Sequence, residues 1–284
     1  MYEWLLNSPS LQEFNIHDDI PLKSGWVGEV WGSSIKRITI FYRCYDEQED
    51  HSLFTLSTPN LVFLDYSSFV AQDYSLEFGD SLVQARLDLR LWKYYVPPSP
   101  EMHDPEIDVL WGDATKLIAA IRNVVTLDLS ADSLEVFYFS CNSMPEFNNL
   151  VNLSFESHNE RGWQVLPLLL KKSPNLETLV IKGLVHEITN KCGDACVCVD
   201  DKKKKKKKKK KTSCCLLSCQ VKVLKIYGYG GSSREVKQMR HFFENLRCLQ
   251  VVKVEVQVGH QDNYLQVTNE LINLLPPACK LHFI

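Results

Sequence analysis

No stretch of this chain approaches the ~20 consecutive apolar residues that a membrane-spanning helix requires. Met1-Tyr2-Glu3-Trp4-Leu5-Leu6 is not the basic-then-apolar opening of a secretory signal. The expectation is an intracellular chain, cytoplasmic and/or nuclear, with no membrane partner. Also missing are the HExxH pair of a zinc hydrolase and the GxxxxGK[ST] spacing of a phosphate-binding loop, and the eight histidines fall at no regular partner spacing. Scattered Ser, His and Asp define no catalytic site without a motif that positions them, so neither an enzymatic activity nor a cofactor is expected. Glycine and proline, 12 each, are too few for a fibrous or low-complexity chain. A globular chain of this length buries about 75% of its unfolded surface, enough for a substantial core.

Positive charge is scarce outside one place. The net charge of −3 becomes −13 once the ten lysines Lys202 to Lys211 are set aside. The body of the protein is acidic, and a basic nucleic-acid-binding surface is not expected on it. The run itself reads most simply as a solvated, disordered insertion, because adjacent like charges repel and resist packing. A nuclear-import signal is the alternative reading.

Six of the ten cysteines lie between Cys192 and Cys219, on either side of those lysines. Cys192 and Cys196 have three residues between them, as do Cys215 and Cys219, with eighteen between the pairs. That spacing is compatible with a four-thiolate zinc site, although no histidine and no recognised finger accompanies it. Cys44, Cys141, Cys248 and Cys279 sit in or beside apolar periodic segments, where a reduced thiol acts as a small hydrophobe.

What the chain has in abundance is a repeat. Leu11-Gln12-Glu13-Phe14-Asn15-Ile16, Leu61-Val62-Phe63-Leu64-Asp65-Tyr66 and Leu176-Glu177-Thr178-Leu179-Val180-Ile181 share the pattern LxxLxL, each after a Ser/Thr-Pro turn. Looser copies start at Ile35, Leu82, Val124, Leu150, Val221 and Leu249, making nine in all. Starts from Leu11 to Leu82 are 24, 26 and 21 residues apart, and Val124, Leu150 and Leu176 are 26 apart, within the leucine-rich-repeat range. Each copy places alternate residues of a short strand inward, and no copy can bury its apolar face alone. The pattern predicts an α/β leucine-rich-repeat solenoid, a curved parallel sheet with a helical or irregular outer layer.

Between copies, Pro97-Pro98-Ser99-Pro100 reads as an interrupting loop, and a helix is expected over Gly112 to Ile121. Leu134 to Phe139 reads as an extra strand, and His17-Asp18-Asp19 as a polar loop after the first strand. Further on, strand Val221 to Ile226, a Gly-rich turn at Gly228 to Ser233, and a helix from about Arg234 with Ser233 as its N-cap lead to strand Leu249 to Val258. A helix over Asn263 to Leu275 and a last strand over Lys280 to Ile284 close the chain. The Gly-rich turn could in principle hold phosphate, but its spacing favours a plain tight turn.

"GDATKLIAAIRNVVTLDLSADSLEVFYF" (112 to 139), "FNNLVNLSFES" (147 to 157), "LPLLLKKSPNLETLVIKGLVH" (166 to 186) and "CCLLSCQVKVLKIYGYGGSSREVKQMRHFFENLRCLQVVKVEV" (214 to 256) resemble the plant F-box/leucine-rich-repeat proteins that end in an FBD domain. The resemblance implies repeats over 1–190, the Cys/Lys-rich loop over 191–213 and an FBD α/β unit over 214–284 into which the solenoid continues. It also implies a division of labour. The F-box docks on a Skp-type adaptor of a cullin ubiquitin ligase, while the repeats select the target protein. No F-box pattern matches within this sequence, so the expected partner is an unknown target protein, and a Skp-type adaptor is not expected.

Recognition would fall on the residues that alternate with the apolar ones. The candidates are Glu13, Arg37, Phe63, Asp65, Arg86, Asp128, Asn152 and Thr178, with Phe63 as an exposed aromatic anchor. Two other readings stay open at this point. One is a nuclear nucleic-acid-binding protein, stabilised by zinc on Cys192, Cys196, Cys215 and Cys219 or dependent on the lysine run. The other is a decayed family member without a function.

Overall fold

The computed structural model describes residues 9–18, 28–42, 53–95, 108–188, 215–257 and 261–284. The chain divides into two compact units, Met1–Val124 with Glu135–Pro145, and Val125–Leu134 with Glu146–Ile284. The lysine run, Cys192, Cys196 and the Pro97 to Pro100 loop lie outside the described residues.

In the first unit the strands are β1 (Glu13–Asp18), β2 (Gly28–Trp31), β3 (Arg37–Tyr42), β4 (Leu53–Thr58), β5 (Phe63–Phe69), β6 (Asp73–Phe78) and β7 (Gln84–Arg90). They sort by parity. β1, β3, β5 and β7, the LxxLxL copies, pair in parallel with no slip in register, so that Phe14, Ile38, Leu64 and Ala85 form one row. β2, β4 and β6 form a second parallel sheet from the segments that return the chain. The outer layer is therefore strand here, where the repeat predicts a helical or irregular one. The cause is a two-residue alternation such as Phe54, Leu56 and Thr58, all buried from β4. The rings of Phe54 and Tyr66 bridge from β4 to β5 with centroids 4.9 Å apart. β1 runs through His17 and Asp18, so the expected polar loop begins later than its composition suggests. β8 (Trp92–Tyr95) and β9 (Asp108–Trp111) form an antiparallel pair, followed by helix α1 (Thr115–Ala120).

Two buried tyrosines make the first unit alkali-sensitive. Burial pushes the Tyr66 hydroxyl up to about 12 from its ordinary 10.0. Burial, then the neighbouring Tyr66, raises Tyr74 well above its ordinary value, while its oxygen accepts a hydrogen bond from the Ala71 amide at 3.0 Å. Neutral tyrosine is thus favoured by folding. Its contribution is fully present below pH 10 and is lost as pH climbs from about 10 towards about 12. Urea midpoints measured across that window should fall more steeply for the unmodified chain than for a Tyr66→Phe, Tyr74→Phe variant. Parallel curves would show that neither phenol is buried as described.

The second unit holds β10 (Thr126–Leu129), helix α2 (Ala131–Phe139), β11 (Asn152–Glu156), helix α3 (Leu166–Lys171), β12 (Thr178–Lys182), a 3-10 turn (Cys215–Ser218), β13 (Val223–Tyr229), helix α4 (Ser233–Asn245), β14 (Val251–Val256), helix α5 (Gln261–Leu274) and β15 (Lys280–Phe283), with the later part of α2 assigned to the first unit. β10 to β15 pair in parallel in chain order, aligning Leu127, Leu153, Leu179, Leu224, Val252 and Leu281 in one row. The sheet thus continues without a break from the repeats into the C-terminal region.

α2 occupies the segment expected to be an extra strand. Valine and aromatic residues favour strand, but the Ser130 hydroxyl caps the helix by accepting from the Ser133 amide at 3.1 Å. Ser133, Leu134, Val136, Phe137 and Ser140 are then buried at helical spacing. Tertiary packing outweighs local propensity.

The repeat pattern is physically exact in its burial. From Ile35 onward, the three apolar positions of all eight remaining copies are no more than 6% exposed. Leu11, Phe14 and Ile16 are half-buried, and among the described residues β1 is the edge strand of its sheet. The residue that opens a copy donates its amide three positions back, as in Leu61 to Thr58, Val124 to Ile121, Leu150 to Phe147, Leu176 to Ser173 and Leu249 to Leu246, at 3.1–3.3 Å. The asparagine before two of them ties one repeat to its predecessor. Asn60 Nδ2 donates to the Ser33 carbonyl and Asn175 Nδ2 to the Asn148 carbonyl, each at 2.8 Å.

Candidate functional site

Register decides which outward residues become neighbours. In the first unit Glu13, Arg37, Phe63 and Gln84 form one row, and Asn15, Thr39, Asp65 and Arg86 the next. A third row holds His17, Phe41, Ser67 and Asp88. Five of the eight candidates are thereby brought together on adjacent strands. Strands stand about 4.8 Å apart, so side chains within a row are in reach of each other.

They are also paired with each other. The Arg37 guanidinium lies 4.2 Å from the Phe63 ring centroid and 3.6 Å from a Glu13 carboxyl oxygen. Arg86 meets Asp65 at 3.4 Å, and the Ser67 hydroxyl donates to Asp88 at 2.8 Å. Arg90 stacks over Phe69 at 4.9 Å and donates to the Tyr42 carbonyl. Phe63 is consequently half-buried beneath an arginine, whereas the sequence suggests a free aromatic anchor. Each exposed pair is worth at most about 1 kcal/mol. Their larger effect is to hold the arginines in fixed positions.

In the second unit Thr126, Asn152 and Thr178 align in one row with Val223, Val251 and Lys280. Asp128 heads the next row, with Ser154, Val180, Lys225, Lys253 and His282. Asn152 donates to the Thr126 hydroxyl at 3.3 Å, and Lys182 meets Glu156 at 2.9 Å in the row beyond. The remaining candidates Asp128, Asn152 and Thr178 thus share a face with Lys225, Lys253 and His282, which the outward list stops short of. The same alternation rule applied to the copies at Val221 and Leu249 would have reached the two lysines.

The Gly-rich turn is filled from within. Glu235 accepts hydrogen bonds from the Gly230 amide at 3.0 Å and the Ser232 amide at 2.8 Å, while the Ser232 hydroxyl accepts from the Glu235 amide at 3.4 Å. This reciprocal cap makes Ser232, not Ser233, the N-cap, and Ser232-Ser233-Arg234-Glu235 is its sequence signature. The amides that could cradle a phosphate already hold a carboxyl group.

Of the metal candidates, Cys215 and Cys219 lie at the 3-10 turn and form no disulfide. The buried Cys219 thiol donates to the Cys215 carbonyl at 3.3 Å, a structural use that a zinc-bound thiolate would forfeit. Among the described residues, no group of three or more His, Cys, Asp or Glu could hold a metal ion.

Comparison with known proteins places this architecture. An F-box/LRR-repeat protein of Arabidopsis thaliana is 46% identical over 97% of this chain, and a second is 42% identical over 100% of it. The chain is homologous to plant F-box/LRR-repeat proteins. An F-box protein of the same plant is 46% identical over 91% of the chain. The chain spans 61%, 63% and 55% of the length of those three curated relatives, respectively. No family model and no solved structure matches it.

Proposed function

We propose that the chain is a non-catalytic protein-recognition module, corresponding to the target-selecting part of a ubiquitin-ligase F-box subunit. One observation carries the reading. The in-register rows of the LxxLxL strands present ordered polar and aromatic side chains on the face opposite the apolar core. Such faces suit proteins because they offer many fixed contacts at the spacing of an extended or folded surface. The homology to F-box/LRR-repeat proteins supports the same role. Docking on a Skp-type adaptor is not part of the proposal, because no F-box pattern matches within these residues.

Affinity purification of the full chain from plant cells is expected to recover specific proteins above an unrelated repeat-protein control. Recovery should fall when Arg37, Arg86 and Asn152 are replaced together by alanine. A partner set indistinguishable from the control would overturn the reading. Recovery of a Skp-type adaptor with this chain would extend the role to ligase docking.

A further inference from the structure

Lys225 on β13 and Lys253 on β14 are direct register partners, and His282 on β15 completes the row. Both lysines are half-buried, and among the described residues neither has a carboxylate in contact. Like charges placed opposite each other on neighbouring strands weaken a sheet. The arrangement contrasts with the first unit, where Arg37, Arg86 and Arg90 each rest on a carboxylate, a ring or a carbonyl. Glu255 stands two residues beyond Lys253 on the same face and makes no ion pair with it, while the nearest charged row is settled by Lys182 on Glu156.

Several neighbours of the two lysines are apolar. Val180 lies beside Lys225 in the row, Val223 and Val251 fill the positions before the lysines, and Tyr227 follows Lys225. All four side chains are half-buried. Lys280, exposed and without an ion pair among the described residues, extends the cationic edge beside Val251. The opposite face, with Leu224, Ile226, Val252 and Val254, is fully buried in the core, so this face is the one left for a partner.

We infer that the β12–β15 face binds an extended acidic peptide segment whose carboxylates sit on Lys225 and Lys253 and whose apolar side chains lie on Val180, Val223 and Val251. The inference rests on the protein-recognition reading and names its partner's chemistry. Carboxylates relieve the repulsion that the free face carries, and the valines give the peptide an apolar floor. A nucleic acid would find the cations but no series of stacking rings, since Tyr227 stands among aliphatic residues.

A displayed library of random peptides panned on the full chain tests this. Enriched sequences should combine Asp or Glu with aliphatic residues, and in anisotropy titrations they should bind the Lys225→Ser, Lys253→Ser variant about tenfold more weakly, as two exposed ion pairs would dictate. Affinity should fall with added salt and survive Arg37→Ser, Arg86→Ser. The double lysine variant should melt no lower than the unmodified chain, because it removes a repulsion. Enrichment indifferent to acidic residues, equal affinity for the lysine variant, no enrichment, or lysine-dependent binding of polyuridine RNA instead would each overturn the inference. Equal affinity would also expose peptides held by the Lys202–Lys211 run. The broader recognition reading falls only if affinity purification recovers no specific protein, so the two failures are distinguishable.

Discussion

Trp163→Ala is expected to lower the unfolding free energy of the second unit by about 3–5 kcal/mol. The indole is 1% exposed and packs between His186 and Phe155. His186 stacks on it with centroids 3.8 Å apart and planes 8° from parallel, and Phe155 of β11 meets it edge-on at 5.1 Å. Its Nε1 donates to the Ser157 hydroxyl at 3.1 Å, while His186 Nδ1 lies 2.9 Å from the Leu184 carbonyl. Truncation would remove the packing of all three partners and strand a hydroxyl. Domains of ordinary stability have about 5–15 kcal/mol in total, so this single change consumes a large part of it. Because repeat arrays hold together by nearest-neighbour contacts, the loss should also loosen β11 against the segment around His186 that follows β12. Denaturant titration followed by far-ultraviolet circular dichroism measures it, and Trp163→Phe should cost roughly half as much. A change under about 1 kcal/mol for Trp163→Ala would contradict the buried stack.

Glu235→Ala should be the next most damaging single change, at about 2–4 kcal/mol. Three amides converge on this cap, and Glu235 itself is buried. Without its carboxyl group the Gly230 and Ser232 amides lose their acceptor, and α4 loses one side of its N-terminal closure. Glu235→Gln retains one side-chain oxygen and should lose about half as much. Hydrogen exchange at the Gly230 and Ser232 amides should accelerate in both variants, more in the alanine one. Unaltered exchange would mean that the turn is held by something other than Glu235.

The strand positions were legible because each repeat must supply three apolar residues at fixed offsets. Leu150, Leu153 and Phe155 state this requirement as plainly in sequence as in the folded core. The return segments were not, since a strand such as Leu53–Thr58 buries a threonine in its alternation and so hides its period. α2 was misleading for the opposite reason. Its Val136, Phe137 and Phe139 speak for strand, and only the Ser130 cap and the surrounding core speak for helix. For the outward strand positions, alternation gives the face each residue occupies but is silent on their mutual pairing. That Arg37 covers Phe63 follows from register across two repeats separated by 26 residues, which no local pattern encodes.

The uneven spacing of the strands has a consequence for how this sequence can vary. Copies at Leu150 and Leu176 are 26 residues apart and those at Leu176 and Val221 are 45 apart, yet Leu153, Leu179 and Leu224 remain aligned. Closure entropy grows only with the logarithm of the intervening length, so the longer connection costs about 0.5 kcal/mol more than the shorter. Strand order and alignment therefore depend on which residues alternate, not on how many lie between them. Related chains can lengthen or shorten such a connection while keeping the same rows of side chains, and the cysteine- and lysine-rich segment falls in a connection where drift in length is almost free.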